Sequence, residues 1–112
     1  MSNSGFVTLL QQDGVEGLQA RAPDGAWITV PHLERSLVVN FGQLFERWTG
    51  GRIRATVHRV LGNDMQRCSI PFFFEPRVDA RISPLEIEGA MHFEPFTYGD
   101  HLWKAISDFP EF

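Results

Sequence analysis

The chain has little cysteine, no long apolar run and no cluster of basic residues, and each shortage narrows its possible roles. Its single cysteine, Cys68, cannot form an internal disulfide, so we expect a reducing, cytoplasmic setting. No apolar stretch approaches the roughly 20 residues of a membrane-spanning helix. The first residues lack the layout of a signal peptide, and we expect no membrane partner. Ten Lys and Arg against 14 Asp and Glu leave a net charge of −4, which disfavours nucleic acid as a partner.

The chain does have the length and the aromatic content of one folded domain. A chain of 112 residues normally forms a single domain, and we assign residues 1–112 to it. Ten Phe and three Trp indicate an aromatic-rich core or pocket and argue against disorder. We expect residues 77–112 to form a less ordered tail.

Short β-rich stretches separated by turns that contain Gly and Pro predict an all-β domain of the sandwich or jelly-roll kind. The predicted strands are 6–11, 18–21, 27–30, 37–41, 53–60 and 69–74. The second and third strands flank Pro23-Asp24-Gly25, which predicts a hairpin. The last two are expected to pair across residues 61–66. One or two short helices are predicted, at 43–48 and at 102–106.

Two neighbouring strands carry the residues that point to a binding site. One contains His58, and the next opens with Arg67-Cys68-Ser69. Side chains two apart share a face of a strand, so Arg67 and Ser69 point the same way, and Cys68 is expected to be a buried structural thiol on the other face. A guanidinium beside a hydroxyl suits a carboxylate, and an imidazole can bind a metal. Taken alone, a strand histidine is more often structural, and Arg-x-Ser is a weak signal.

Six stretches, in order, resemble the C-terminal part of the non-haem iron, 2-oxoglutarate-dependent oxygenases of the isopenicillin N synthase type. They are 4–13, 17–21, 25–30, 37–42, 48–60 and 96–102, and the most specific of them is 48–60. The resemblance implies an incomplete double-stranded β-helix, a jelly-roll variant, without the family's earlier strands and N-terminal helices. It also implies an oxidoreductase that uses Fe(II) and 2-oxoglutarate to oxidise or hydroxylate a small organic substrate. Some relatives omit 2-oxoglutarate and keep the same arginine and serine.

The resemblance assigns individual roles. Such enzymes hold iron with two histidines and one carboxylate. His58 matches one of these ligands, whereas Met1 and Asn3 stand where the family has His-x-Asp. A thioether and an uncharged amide are poor replacements for Fe(II), so we expect the chain alone to be inactive. Arg67 and Ser69 match the residues that grip 2-oxoglutarate.

The expected lining of the substrate pocket consists of apolar side chains on the same strands. Val60 and Phe73 follow from strand alternation with His58 and Arg67, because residues two apart share a face. Leu10 and Leu18 match pocket-wall positions by resemblance.

Three interpretations remain open at this point. The chain is part of an oxidoreductase whose missing ligands come from other sequence, a catalytically inactive descendant that acts as a binding or interaction module, or a cupin-like domain that matches the family by shape only. The missing neighbouring strands leave open sheet edges, and open edges recruit other strands. We therefore expect either a strand-exchanged homodimer or a missing N-terminal segment as the partner, besides a small-molecule substrate.

Overall fold

A computed structural model describes residues 4–62 and 65–107, and over these residues the chain is mainly β with two short helices. In chain order the elements are β1 (Val7–Gln12), β2 (Leu18–Arg21), β3 (Trp27–Thr29), β4 (Val38–Phe41), α1 (Gln43–Trp48), β5 (His58–Val60), β6 (Ser69–Phe74), β7 (Arg81–Ile82), β8 (Phe96–Thr97) and α2 (Tyr98–Ser107). The predicted all-β class with one or two short helices is confirmed. No helix in the described part is long and apolar enough to cross a bilayer.

The first six strands form two three-stranded antiparallel sheets. Sheet A has the order β4-β1-β6, and sheet B has the order β3-β2-β5. The chain passes from sheet A to sheet B and back twice, as in a jelly roll. The two middle strands, β1 and β2, follow each other in the chain, and β5 and β6 each occupy an edge. A two-stranded ladder of β7 and β8 completes the β-structure of the described residues.

The expected hairpin between residues 18–21 and 27–30 is confirmed, because β2 pairs with β3. At its turn, the backbone N–H of Ala22 donates a 2.8 Å hydrogen bond to Ala26 O. The Asp24 carboxylate accepts a further bond from Ala26 N, at 2.9 Å. Turns favour short polar side chains, such as that of Asp, which accept a hydrogen bond from the backbone two residues further on.

The expected pairing of residues 53–60 with 69–74 is wrong. The first of these strands is shorter than predicted, and β5 pairs with β2 while β6 pairs with β1. The turn-forming residues between them lie in a connection that carries the chain from sheet B to sheet A. Turn chemistry marks where the chain changes direction, and it does not specify that the two flanking strands are neighbours.

Along the middle strand β1, one face of sheet A is more buried than the other. Thr8 and Gln12 are 5% and 9% exposed and lie on the same face of β1. Their partners across the ladder to β6 are Phe73 and Ser69. We call this the inner face of sheet A, and the opposite face, which includes Leu9, the outer face.

Helix α1 covers one end of sheet A. Leu44 on this helix is 1% exposed. The Phe6 ring lies 4.7 Å from that of Phe45 and 5.4 Å from that of Trp48, measured between centroids. Leu44, Phe45 and Trp48 lie at helical spacing in α1, and they give the helix one packed face.

The segment after α1 is held close to a distant loop. Gly50 has a φ of 62°, and its carbonyl accepts a hydrogen bond of 2.9 Å from Met91 N. A Cβ at this position would lie 2.5 Å from Met91 N, so the close approach requires glycine.

The expected less ordered tail, 77–112, contains β7, β8 and α2 over its described residues. The helix α2 is longer than the predicted 102–106. It is tied to the rest of the domain through two side chains: the Tyr98 hydroxyl donates to the Glu75 carboxylate, and His101 Nε2 lies 2.8 Å from Ser4 O. Burial, together with the bond to Glu75, raises the pKa of Tyr98.

Candidate functional site

Arg67 lies beside both sheets and has one donor unfilled. Its Nη2 donates to Gln12 Oε1 on β1 over 3.2 Å. Its Cδ and Nε would lie 3.5 and 3.6 Å from a Cβ placed on Gly17, directly before β2, so the side chain runs close along the backbone there. Within the described residues, the buried Nε has no hydrogen-bond partner. A buried donor left unfilled costs about 1–3 kcal/mol, and more on a charged group, so this atom favours an acceptor from outside.

Ser69 lies on the same face as the Arg67 contact. It is the first residue of β6, it is half-buried, and it sits directly opposite Gln12 in the ladder. Gln12 therefore adjoins both members of the predicted grip, one through the sheet register and one through a side-chain hydrogen bond. Sequence reasoning passed over Gln12. The signal that would have found it is a polar side chain on a strand face whose other positions carry Thr8 and Leu10.

Asp13 fixes the backbone between Arg67 and Ser69. Its Oδ2 accepts a 2.6 Å hydrogen bond from Cys68 N, and its Oδ1 accepts one of 3.0 Å from Val15 N. These backbone donors, with a smaller contribution from the Arg67 cation, hold the pKa of Asp13 below its ordinary value. The sequence indicated only a turn residue at this position. The hydrogen bond to Cys68 could not be predicted from the sequence, because the two residues are 55 positions apart in the chain.

The expectation for Cys68 itself is wrong. Its thiol is free and exposed, not buried. The residue directly precedes β6, which is an edge strand of sheet A. Alternation assigns a side chain to a face, but burial depends on what packs against that face.

His58 lies on the buried face of sheet B. It is the first residue of β5, half-buried, and it is directly opposite Ala20, while Val60 is directly opposite Leu18. Leu18 is 4% exposed, which marks that face as the inner one. The Nδ1 atom of His58 lies 3.3 Å from Thr56 O. A proton on Nδ1 would donate to this carbonyl and place the lone pair of the ring on Nε2.

The described residues do not supply a complete metal site. Among residues 4–62 and 65–107, no group of three or more His, Cys, Asp or Glu side chains could hold a metal ion. Met1 and Asn3, expected at the other two ligand positions, lie outside the described residues. The described part of the chain thus fits an anion at Arg67, but it offers only His58 towards iron, and one imidazole does not hold Fe(II) firmly.

The four expected pocket residues differ in exposure. Leu18 is buried and Leu10 is half-buried, whereas Val60 and Phe73 are 54% and 55% exposed. All four lie on the inner faces by register: Leu10 is opposite Pro71, and the other pairs are given above. The two exposed residues are those on the edge strands β5 and β6, whereas the two less exposed residues are on the middle strands β1 and β2.

His101 is a further contact that sequence reasoning missed. Its Nδ1 accepts a hydrogen bond of 3.3 Å from Arg47 on α1, while its Nε2 donates to Ser4 O. The guanidinium of Arg47 also lies 3.5 Å from the Phe96 ring centroid. The histidine thus ties α2 to the segment just before β1. A tail histidine gives no sequence signal for such a contact.

The strands of the two sheets alternate along the chain as in a partial double-stranded β-helix, and Arg67 lies beside both sheets with its buried Nε unfilled among the described residues. Residues 1–76 match the family described as the 2OG-Fe(II) oxygenase superfamily. The chain therefore belongs to the 2OG-Fe(II) oxygenase superfamily and corresponds to the C-terminal part of its β-helix. Membership by sequence removes the interpretation of a cupin-like domain that matches by shape only.

Individual relatives agree with this assignment. Homoarginine-6-hydroxylase 2-ODD-C23 of Glycine max is 34% identical over 113 residues, which is 94% of this chain and 34% of that protein. 1-Aminocyclopropane-1-carboxylate oxidase 1 of Oryza sativa is 38% identical over 104 residues, which cover 88% of this chain and 32% of that protein. The crystal structure of the dioxygenase for auxin oxidation in rice superposes with a TM-score of 0.83 at 32% identity, covering 96% of this chain and 39% of that one. The chain spans about a third of the length of the curated relatives it matches.

The pKa of the Asp13 carboxyl tests the hydrogen bonds that hold the arginine-serine segment. A ¹³C NMR titration is expected to give a value below 3.8, because Cys68 N and Val15 N stabilise the carboxylate. Since the folded-state pKa is lowered, the contribution of Asp13 to stability is present above the unfolded-state pKa and is lost as the pH falls through the folded value.

Arg67→Met is the matched control for that titration. It removes only the minor, coulombic cause, so the pKa of Asp13 should rise slightly and remain below 3.8. A pKa of 3.8 or higher in the unsubstituted chain would contradict the contact to Cys68.

Proposed function

We propose that this chain provides the 2-oxoglutarate-binding part of an Fe(II)-dependent oxidoreductase that oxidises or hydroxylates a small organic substrate. The observation that carries the proposal is the buried Nε of Arg67, a charged donor without an acceptor inside the described domain. Membership of the superfamily makes 2-oxoglutarate the first ligand to test at this atom. The names of the relatives include a hydroxylase, an oxidase and a dioxygenase, which supports the reaction class.

Arg67 and Ser69 divide the work of holding the dicarboxylic acid. The guanidinium offers Nε and a remaining Nη donor to the distal carboxylate, and charge-assisted bonds of this kind are about twice as strong as neutral ones. The Ser69 hydroxyl, on the same face, donates a further bond. Gln12 keeps the guanidinium oriented through Nη2, and Asp13 keeps residue 68 in place between the two. The apolar walls beside the grip are formed by Val60, Phe73, Leu10 and Leu18.

Iron is the part of the site that this chain does not complete. His58 would supply one imidazole, and the bound metal would supply the oxidising chemistry with O₂. In the sequence, Met1 and Asn3 stand where the resemblance expects the other ligands, and neither a thioether nor an amide suits Fe(II). We infer that the chain alone is inactive and that Fe(II) occupancy requires ligands from additional sequence.

The open edges indicate where additional sequence would join. The strands β5 and β6, which carry His58 and Ser69, are each at the edge of their sheet, and an unpaired edge accepts another strand. A preceding segment of the same protein, a separate chain or an exchanged strand of a second copy would each close this side. We place the assembled protein in the cytoplasm, in keeping with its single exposed thiol.

A second candidate function is a non-catalytic binding module that retains the anion grip. It is favoured by Met1 and Asn3 at the sequence positions of the other two ligands, because neither a thioether nor an uncharged amide suits Fe(II). Both functions require 2-oxoglutarate or a related dicarboxylate at Arg67. They differ in whether iron can be bound once the missing ligands are present.

A calorimetric titration of the chain with 2-oxoglutarate tests the binding by Arg67 and Ser69 that both functions require. Arg67→Lys is expected to weaken binding about 10- to 100-fold, because a point charge replaces a two-pronged donor. Ser69→Ala should weaken it by a few-fold, as expected for one neutral hydrogen bond of about 0.5–1.5 kcal/mol.

Arg59→Lys serves as the matched control for Arg67→Lys. Arg59 lies on the other face of β5 from His58, with its guanidinium 4.0 Å from the Trp27 ring centroid, so its replacement should leave affinity unchanged. Equal losses for the two lysine variants would show that the dicarboxylate binds through general charge and would overturn the proposed site.

An anaerobic titration with Fe(II) and 2-oxoglutarate separates the two functions. The chain as it stands should give no visible charge-transfer band, because His58 alone does not hold the metal. The double variant Met1→His, Asn3→Asp, preceded by an added initiator methionine, is expected to produce the band, and His58→Ala in that background should abolish it. A band from the unaltered chain, or none from the double variant, would contradict the assigned ligand positions.

A further inference from the structure

The connection from β5 to β6 lies against the same glycine near both of its ends. Leu61, its first residue, donates a backbone hydrogen bond of 2.8 Å to Gly17 O. Arg67, near its far end, lies next to the same backbone, because its Cδ and Nε would be 3.5 and 3.6 Å from a Cβ on Gly17. A residue without a side chain, directly before β2, therefore borders both ends of the connection that carries the chain from sheet B to sheet A.

The space beside the Gly17 backbone does not admit a side chain. A Cβ at this position would lie 2.9 Å from Leu61 O, a separation that Cβ atoms essentially never show. This oxygen belongs to the backbone, so it cannot turn aside as the end of a flexible side chain could. Relief would require the ladder between β2 and β5 to open at Leu61, and the connection that follows would move with it. The absence of a side chain at Gly17 is therefore a condition for the position of Arg67.

Gly17 also borders the donor of Arg67 that has no partner among the described residues, the buried Nε. An oxygen that accepts a hydrogen bond from an N–H group lies about 2.9–3.0 Å from the nitrogen. A methyl carbon 3.6 Å from Nε would take up the space on that side, so a side chain at position 17 and an acceptor for Nε compete for the same place. The neighbouring Nη2 is already occupied by Gln12 Oε1. The side of the guanidinium next to Gly17 is therefore the approach that matters for Nε.

We propose that Gly17 is a positioning residue of the dicarboxylate site, and that the distal carboxylate of 2-oxoglutarate lies against its bare backbone when it accepts from Arg67 Nε. The proposal rests on the proposed function, because it concerns the same arginine and the same ligand. Gly17 acts through Arg67 in two ways: it holds the connection by the hydrogen bond from Leu61, and it leaves the approach to Nε free. Glycine allows a ligand to come this close to the backbone because it has no Cβ.

Gly62 is a glycine of the same connection that lies in open space. It directly follows Leu61 and is exposed. A Cβ at this position would meet no heavy atom within 4 Å apart from those of its chain neighbours. A methyl group at Gly62 therefore adds the same atoms to the same connection without contact to Arg67 or to β2. Gly62→Ala is accordingly the matched control for Gly17→Ala.

Calorimetric titration of the variants with 2-oxoglutarate provides the first test. Gly17→Ala should raise the dissociation constant about tenfold or more, the loss expected when a charge-assisted hydrogen bond is removed, whereas Gly62→Ala should leave it unchanged. In the Arg67→Lys background, which has no Nε donor, Gly17→Ala should add less than about threefold, because both changes remove the same bond. An unchanged dissociation constant for Gly17→Ala, or losses that add in full, would overturn the proposal.

The ligand-free chain provides a second test, which does not require 2-oxoglutarate to bind. Gly17→Ala should shift the ¹⁵N resonance of the Arg67 Nε–H group and speed its exchange with water, because the connection from Leu61 moves away from β2. The Arg59 resonance should stay unchanged in the same spectra, which shows that β5 keeps its fold, and Gly62→Ala should alter neither signal. An unchanged Arg67 resonance in folded Gly17→Ala would contradict the positioning role.

The unsubstituted chain provides a third test, which decides the question even if Gly17→Ala does not fold. With 2-oxoglutarate at saturation, the methylene protons next to its distal carboxylate should give an NOE cross-peak to the Hα protons of Gly17 and none to those of Gly62. A bound ligand that perturbs Arg67 without a cross-peak to Gly17 would overturn this proposal alone. Failure of the unsubstituted chain to bind 2-oxoglutarate would instead refute the proposed function, so the two failures are distinguishable.

Discussion

The site depends on one unfilled hydrogen-bond donor, the buried Nε of Arg67. Its neighbour Nη2 is occupied by Gln12, so the guanidinium is held in place while one of its donors has no acceptor among the described residues. A charged group in this state raises the free energy of the empty domain and lowers that of any state with a carboxylate bound. The bond from Cys68 N to Asp13 maintains this arrangement by fixing the chain between Arg67 and Ser69. The proposal of a dicarboxylate ligand rests on this arrangement and on membership of the superfamily.

The inner faces of the two sheets are only partly buried. Leu18 and Thr8 close the inner faces of the two sheets, while Val60 and Phe73 on the edge strands stay more than half exposed. The outer face of sheet A is likewise uncovered beyond α1. The chain spans about a third of the length of the curated relatives it matches. Exposed apolar surface of this kind commonly marks a site of contact with other polypeptide or with a ligand.

Much of the secondary structure could be predicted from the sequence. The helix α1 and the strand β6 begin and end where the pattern placed them, because glycine and turn residues bound both elements. Alternation along β6 also predicted that Ser69 and Phe73 share a face. The pairing of strands could not be predicted in the same way, because adjacency in the chain competes with a crossover between sheets, and local turn residues are compatible with both. The prediction that Cys68 is buried was wrong for a related reason, since burial depends on what packs against the outer face of β6.

The contacts between residues far apart in the chain were the least predictable. Asp13 and His101 act over 55 and 97 residues of chain, respectively, and each appears in the sequence as an ordinary turn or tail residue. The direct measurement of the central claim is ¹⁵N NMR of the arginine Nε–H groups during addition of 2-oxoglutarate. The Arg67 resonance should shift and its exchange with water should slow, while that of Arg59 stays unchanged. An unchanged Arg67 resonance, or the same response from both arginines, would contradict the account.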